Sequence, residues 1–383
     1  MVTSGSSVPS GSPQSRLLHI GPHKTGTTTV QSAFDANREA LVQHGVRYLG
    51  AARQPSQAVK AMTGHTPAGP ERDAGLAQWN RLLADAFGSG ARSVVLSSEF
   101  LCEARRGTIP RILEDFANDD TRVVVTLRPL AKILPSQWQQ FVQDGSRAKF
   151  EDWLAKVLKR YDGKHSKGFW RRHRYDHLIT RWADVIGRDN LTVIVSDEHD
   201  LGQLPREFAR LLGLPDGMLV PPLDRANRSL SWEETEVIRH FNIALRELNH
   251  DREIAGRREL DLTVAKRLAA WSWLKSRPPN PEDHKIELPA FALDRITELS
   301  TSMVEGLQAT GVQVIGPVEQ LTAPPPRSNG STPLVLDPQV AAQVAVSLVK
   351  VTMQRPPRPA PVADPGMGAK AKQKLRAARE RFR

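Results

Sequence analysis

The chain has 383 residues, 39% of them hydrophobic and a quarter charged, with a formal net charge of +11 and one cysteine. That is enough apolar material for a sizeable core in one large domain or two small ones. A single cysteine, Cys102, excludes an intramolecular disulfide and a cysteine-based zinc cluster, and no apolar run reaches the roughly 18 residues that a membrane-spanning helix needs.

Residues 1–15 are rich in Ser, Gly and Pro and lack the basic start and apolar stretch of a secretory signal. They are expected to form a disordered arm, and with the lone cysteine they point to a cytoplasmic protein. Leu17-Leu18-His19-Ile20 has the pattern of a short strand. It ends at Gly21, and a glycine-containing turn leads into a helical pattern over residues 28–44. Residues 46–49 suit a second short strand. Residues 51–75, with Pro, Gly and Thr and little periodicity, predict a long loop before a helix near 77–87. The β-branched runs at 93–97 and 122–127 are of the kind parallel strands covered on both faces require. Helices are predicted over 131–143, 150–160 and 175–186, then a strand over 191–195. Strands alternating with helices predict an α/β fold: three layers around a mainly parallel sheet, with ligands at the carboxyl ends of the strands.

Beyond about residue 230 the pattern becomes helical, over 233–249, 260–274, 292–307 and 339–353. These extra C-terminal helices are expected to pack on the α/β core. The resulting division is an arm (1–15), an α/β domain with a helical C-terminal part (16–320), a linker and helix (321–354), and a basic tail (355–383). The tail carries nine Lys or Arg against Asp364 and Glu380, so most of the net charge lies in it. It is either a solvated tail or a frayed helix that touches an anionic surface.

Gly21-Pro22-His23-Lys24-Thr25-Gly26-Thr27-Thr28 lies between a predicted strand and a predicted helix. There, backbone N–H groups and the positive end of the helix can cradle phosphate. The glycines have the G-x4-G spacing of a nucleotide loop, yet Thr27 stands where an ATPase or GTPase places lysine. The lysine is instead at position 24, inside the loop. A lysine after the second glycine reaches β- and γ-phosphates beside magnesium; one within the loop stands nearer the α-phosphate and the bond leaving it.

The stretch from His19 to Gln31, HIGPHKTGTTTVQ, resembles the 5′-phosphosulfate loop of the P-loop sulfotransferase family. The likeness is to the form in heparan sulfate N-deacetylase/N-sulfotransferases and in bacterial homologues. The resemblance implies a donor, 3′-phosphoadenosine 5′-phosphosulfate, and no metal. It implies that Lys24 neutralises the phosphate oxygen leaving sulfur, with Gly26, Thr27 and Thr28 on the 5′-phosphate and His23 and Thr25 completing the loop. Arg128-Pro129-Leu130-Ala131-Lys132-Ile133-Leu134-Pro135-Ser136 resembles the family's 3′-phosphate motif, which makes Arg128 and Ser136 the second anion site. Asn227-Arg228-Ser229-Leu230-Ser231 resembles a later segment that closes over the nucleotide and adds Arg228 and Ser229. A plain helix cap, Ser231 with Glu234, explains the same residues.

Sulfuryl transfer needs a group to take the acceptor's proton. Glu99, at the end of the strand 93–97, is the first candidate. It could also be a structural partner of Lys24 or Arg128, or the metal carboxylate of an ATPase-type site. The cytosolic small-molecule sulfotransferases use histidine, which keeps His65, His173 and His177 open. His165, Arg171, Arg172, His173, Arg174 and His177 form a basic cluster, either a solvated helix face or a wall that attracts an anionic acceptor. Cys102 and the tryptophans, among them Trp138, Trp153, Trp170 and Trp182, fit core packing; the alternatives are that Cys102, close to Glu99, lines the pocket and that a tryptophan stacks adenine or sugar. The expected function is sulfuryl transfer to a hydroxyl or amine acceptor, carbohydrate or lipid first, selected by residues 51–75 and 145–175. The alternatives are a P-loop kinase or NTPase, and a non-enzymatic anion-binding protein that uses the basic tail. Nucleic acid is not an expected partner.

Overall fold

The computed structural model describes residues 15–116, 120–161, 168–222, 229–250 and 283–323, together with residue 341. The arm, the basic tail and the helices expected over 260–274 and 339–353 lie outside the described residues. Among the described residues six strands form one sheet: β1 (Ser15–His19), β2 (Val46–Tyr48), β3 (Ser93–Ser97), β4 (Thr121–Leu127), β5 (Leu191–Val195) and β6 (Gln313–Ile315). Every pairing is parallel, in the order β2-β3-β1-β4-β5-β6. The chain leaves β1 toward β2 and β3, then crosses back to β4 on the other side of β1. The switch in direction therefore falls between β1 and β4, where doubly wound sheets open a crevice at their carboxyl ends.

The alternation of a strand's side chains explains why these runs are apolar throughout. Leu18, Val94, Leu96, Val123, Val125, Val193 and Val195 enter one core cluster, whereas Leu17, Val95, Val124 and Ile194 enter the other. Successive residues thus bury against helices on opposite faces, and three layers result. The second face is covered by α1 (Thr27–Ala36) and later by α10 (Gln203–Leu211), through Val30, Phe34 and Phe208.

The helical pattern expected over 28–44 is two helices, α1 and α2 (Arg38–Gln43), broken at Asn37. Asn37 donates its side-chain amide to Ala33 O at 2.8 Å and to Val220 O at 3.2 Å. The loop expected over 51–75 contains α3 (Ser56–Met62), and the helix after it, α4 (Pro70–Gly88), starts early because Pro70 suits a first helical turn. After β3 come a 3-10 turn, Glu99–Glu103, and α5 (Ile109–Asp115). α6 (Leu130–Gln143), α7 (Phe150–Lys159), α8 (Phe169–His173) and α9 (Tyr175–Ile186) follow β4.

The later part is not purely helical. α11 (Trp232–His250) and α12 (Ala290–Ala309) are followed by β6, which joins the sheet beside β5, and by α13 (Glu319–Thr322). α12 buries Ile296, Leu299, Met303 and Leu307 in the same cluster as Trp182 and Leu178 of α9. No helix among the described residues is long and apolar enough to cross a membrane.

Candidate active site

The loop between β1 and α1 folds around two glycines and a strained lysine. Gly21 has φ 79°, Gly26 φ 90° and Lys24 φ 66°. A Cβ on Gly21 would lie 2.9 Å from the Glu99 Cα, so the absent side chain lets the loop lie directly against the end of β3. Lys24 in the left-handed region costs about 1 kcal/mol, which the loop's base must hold.

That base is a hydrogen-bonded line across three strands. Ser97 Oγ is 2.8 Å from His19 Nδ1, His19 Nε2 is 3.2 Å from Thr126 Oγ1, and Thr126 Oγ1 is 2.8 Å from Thr25 Oγ1. Thr25 also donates to Pro22 O at 2.7 Å. Its hydroxyl is fully buried and braces the loop, which leaves its backbone as the part that can face a ligand. Burial pushes the His19 imidazole down to about 3, with Glu99 acting the other way; this histidine is neutral.

Among the described residues no side chain caps the start of α1, and its first turn holds no acid. Hydrogen bonding back along the helix begins with Thr29 N and Val30 N, both to Gly26 O. The N–H groups of Gly26, Thr27 and Thr28 therefore have no partner from the helix ladder. They form a seat for an anion. Thr28 is half-buried and Thr27 buried.

Lys24 is half-buried, and its Nζ donates to Gln140 Oε1 of α6 at 3.2 Å. Burial lowers the Lys24 pKa, while Asp144 and Glu99 act in the opposite direction. Gln140 donates in turn to Asp144 at 3.3 Å. Ser136 stands one turn before Gln140, so the two share a face of α6. The Lys24 contact thus brings the loop between β1 and α1 to the helix carrying Ser136. Arg128 precedes the same helix and is two residues beyond Thr126, which touches the base of the loop. In this structure Arg128 Nε donates to Glu198 Oε1 at 2.8 Å.

No family model and no curated protein matches the chain. One solved structure similar to it is described as a sulfotransferase from Alicyclobacillus acidocaldarius. The identity is 21%, over 62% of this chain and 96% of that one, with a TM-score of 0.39. At that distance the likeness carries no residue's role, and the site stands on its own geometry.

Glu99 sits at the mouth of the crevice with both oxygens hydrogen-bonded. Gln31 Nε2 of α1 donates to Oε2 at 3.0 Å, and Gln54 Nε2 donates to Oε1 at 3.1 Å. Its partners are amides; the cations Lys24 and Arg128 bond to Gln140 and Glu198 instead. Burial raises the Glu99 carboxyl, but His23, Gln31, its own backbone and Gln54 outweigh burial and hold it below the ordinary range. It is ionised at neutral pH. With Gln31, Gln54 and its own backbone N–H bonded, the carboxylate keeps about one of its four lone-pair sites for a ligand's hydrogen. Gln31 lies within the stretch that resembles the phosphosulfate loop, but neutral amides carry no charge pattern, and neither Gln31 nor Gln54 stood out.

Four residues on, Glu103 gathers what the sequence scatters. His23 Nε2 and Arg172 Nε lie 3.3 Å and 2.8 Å from its Oε1, and His65 Nε2 lies 3.4 Å from its Oε2. The two segments expected to select an acceptor, 51–75 and 145–175, therefore meet on one buried carboxylate beside the loop. The basic cluster is not a continuous solvated face. Arg172 turns to Glu103, His173 is buried against Phe169, Arg174 pairs with Asp176 at 2.6 Å, and His177 is exposed. Both ring nitrogens of His173 lack a hydrogen-bond partner among the described residues, and burial holds it neutral, reinforced by His23, Arg172 and Lys24. His165 and Arg228 lie outside the described residues.

Ser229 is exposed. Ser231 and Glu234 form a reciprocal cap at the start of α11: Ser231 N donates to Glu234 Oε2 at 2.9 Å and Glu234 N to Ser231 Oγ at 3.2 Å. Cys102 is fully buried and burial pushes its thiol up, which makes it packing. Trp138, Trp170 and Trp182 are core residues, and Trp153 packs partly buried beside them.

Proposed function

We propose that this chain is a sulfotransferase that moves a sulfuryl group from 3′-phosphoadenosine 5′-phosphosulfate to a hydroxyl or amine. The observation that carries this reading is the Lys24 ammonium, set inside the loop and bonded to Gln140 of the helix that Arg128 precedes and that bears Ser136. A lysine there can follow a bond leaving the α-phosphate, and the adjoining helix offers a second anion seat for a 3′-phosphate.

The geometry supports a role for each residue within this proposal. The amides of Gly26, Thr27 and Thr28, with the half-buried Thr28 hydroxyl, bind the 5′-phosphate. Lys24 exchanges its bond to Gln140 for the oxygen between phosphorus and sulfur. The acceptor oxygen or nitrogen attacks sulfur in line as the sulfur–oxygen bond to the phosphate breaks. Lys24 neutralises the charge left on that phosphate oxygen, and the acceptor's proton passes to Glu99. Gln31 and Gln54 hold Glu99 ionised and fixed to receive it. His23, His65 and Arg172, joined through Glu103, line the acceptor side, where a polar acceptor such as a carbohydrate fits best. A protein that works on such soluble donors in the cytoplasm fits this reading.

Calorimetry separates it from a kinase or NTPase on the same architecture. Adenosine 3′,5′-bisphosphate is expected to bind more tightly than magnesium–ATP; the reverse order would overturn the proposal.

A further inference from the structure

Two cations outside the loop converge on one carboxylate. Arg128 Nε meets Glu198 Oε1 at 2.8 Å, and Lys132 Nζ meets Glu198 Oε2 at 3.1 Å. Each carboxylate oxygen thus faces its own cation, as two oxygens of a phosphate do between an arginine and a lysine. The side chains remain 35%, 49% and 22% exposed for Arg128, Lys132 and Glu198, so a ligand can reach them. Ion pairs this exposed add little to stability, and stability alone does not account for the arrangement.

The backbone that presents Glu198 is braced separately from its carboxylate. Ser196 N donates to Leu127 O at 2.8 Å, Asp197 N to Gln203 Oε1 at 2.7 Å, and Gln320 Nε2 to Asp197 Oδ1 at 3.0 Å. The carboxylate can leave without unfolding that turn. Lys132, Ser136 and Gln140 also follow one another at four-residue spacing along α6, which aligns them on one face. The row begins at Glu198 and ends at Lys24.

We infer that Glu198 is a built-in anion occupying the 3′-phosphate position between Arg128 and Lys132, and that the donor must displace it. This rests on the donor proposed above. Lys132 then joins Arg128 and Ser136 as a 3′-phosphate contact. A phosphate dianion can replace the carboxylate on both cations, whereas a nucleotide without a 3′-phosphate leaves it in place and gains nothing from them. Arg128 and Lys132 therefore supply the preference for 3′-phosphorylated nucleotides, and Glu198, as their competitor, limits how tightly these bind.

The test titrates adenosine 3′,5′-bisphosphate and adenosine 5′-phosphate into the full chain, as wild type, Glu198→Gln and Lys132→Ala. Glu198→Gln removes the competing charge and is expected to bind the bisphosphate roughly tenfold more tightly. Adenosine 5′-phosphate should change by no more than about twofold, because charge at a distance is screened. Lys132→Ala should weaken the bisphosphate alone. Unchanged or weaker bisphosphate binding by Glu198→Gln would overturn the inference, since Glu198 would then merely position Arg128. An equal gain for both nucleotides would overturn it too. A wild-type protein that does not prefer the bisphosphate would instead sink the donor reading, and the inference with it.

Discussion

Replacing Gly21 by alanine puts a methyl group 2.9 Å from the Glu99 Cα and 3.0 Å from its Cβ, at φ 79°. Two costs combine. The left-handed conformation disfavours an L side chain by about 1–2 kcal/mol. The contact is with backbone rather than the tip of a flexible side chain, so relief requires the loop or the end of β3 to move, at about 1–3 kcal/mol. A total of about 2–5 kcal/mol corresponds to a fall in Tm of roughly 4–20 °C, at about 2–4 °C per kcal/mol for a large domain. The displacement also separates Lys24 from Glu99, so sulfuryl transfer should fall further than the folded fraction does. Thermal unfolding and single-turnover transfer on the same sample measure both effects. A variant with wild-type Tm and turnover would refute the close approach of loop and strand on which the site is built.

Two further predictions concern protons. Gln31→Leu removes one of the bonds that hold Glu99 below the ordinary carboxylate range. The acid limb of the rate profile should shift to higher pH, with kcat at pH 8 reduced less than at pH 5; an unmoved limb would contradict Glu99 as the base. His19 has a folded pKa of about 3, below its unfolded value of about 6.5. The unfolded state therefore binds the extra proton between these values. The stability from neutral His19 is complete above pH 6.5 and is lost as pH falls toward 3, at up to about 1.4 kcal/mol per pH unit. His173, also buried and neutral, adds a slope of the same sign. Denaturant midpoints at pH 7 and pH 5 should show the loss, and His19→Gln should remove one share of it; an undiminished slope would count against the buried bridge.

Local pattern made the scaffold legible. The apolar runs at 93–97 and 191–195 became β3 and β5 because a strand buried on both faces has no polar alternation to hide it. β6 escaped notice: three residues, Gln313–Ile315, are too few to show a period. α3 was hidden because the Pro, Gly and Thr around it suggested loop. α10 was also unexpected, although Leu204 and Phe208 stand four residues apart on its buried face. Within the site, the lysine in the loop and the glutamate at a strand end are positional features, and sequence shows them. Glu103 and Glu198 were missed because their partners, His23 and Arg128, lie 80 and 70 residues away. A charge pair closed by the sheet order leaves no mark on either local segment. The basic run at 171–177 misled partly for the same reason, since Glu103, the partner of Arg172, lies far along the chain, whereas Asp176, the partner of Arg174, stands within the run itself.

The most direct test of the account follows the label from a radiosulfur-labelled donor, with wild-type protein and Lys24→Ala, across hydroxyl and amine acceptors. The wild type should deliver the label to an acceptor, whereas Lys24→Ala should still bind adenosine 3′,5′-bisphosphate but transfer the label at least about a hundredfold more slowly. Full transfer activity in Lys24→Ala would contradict the account.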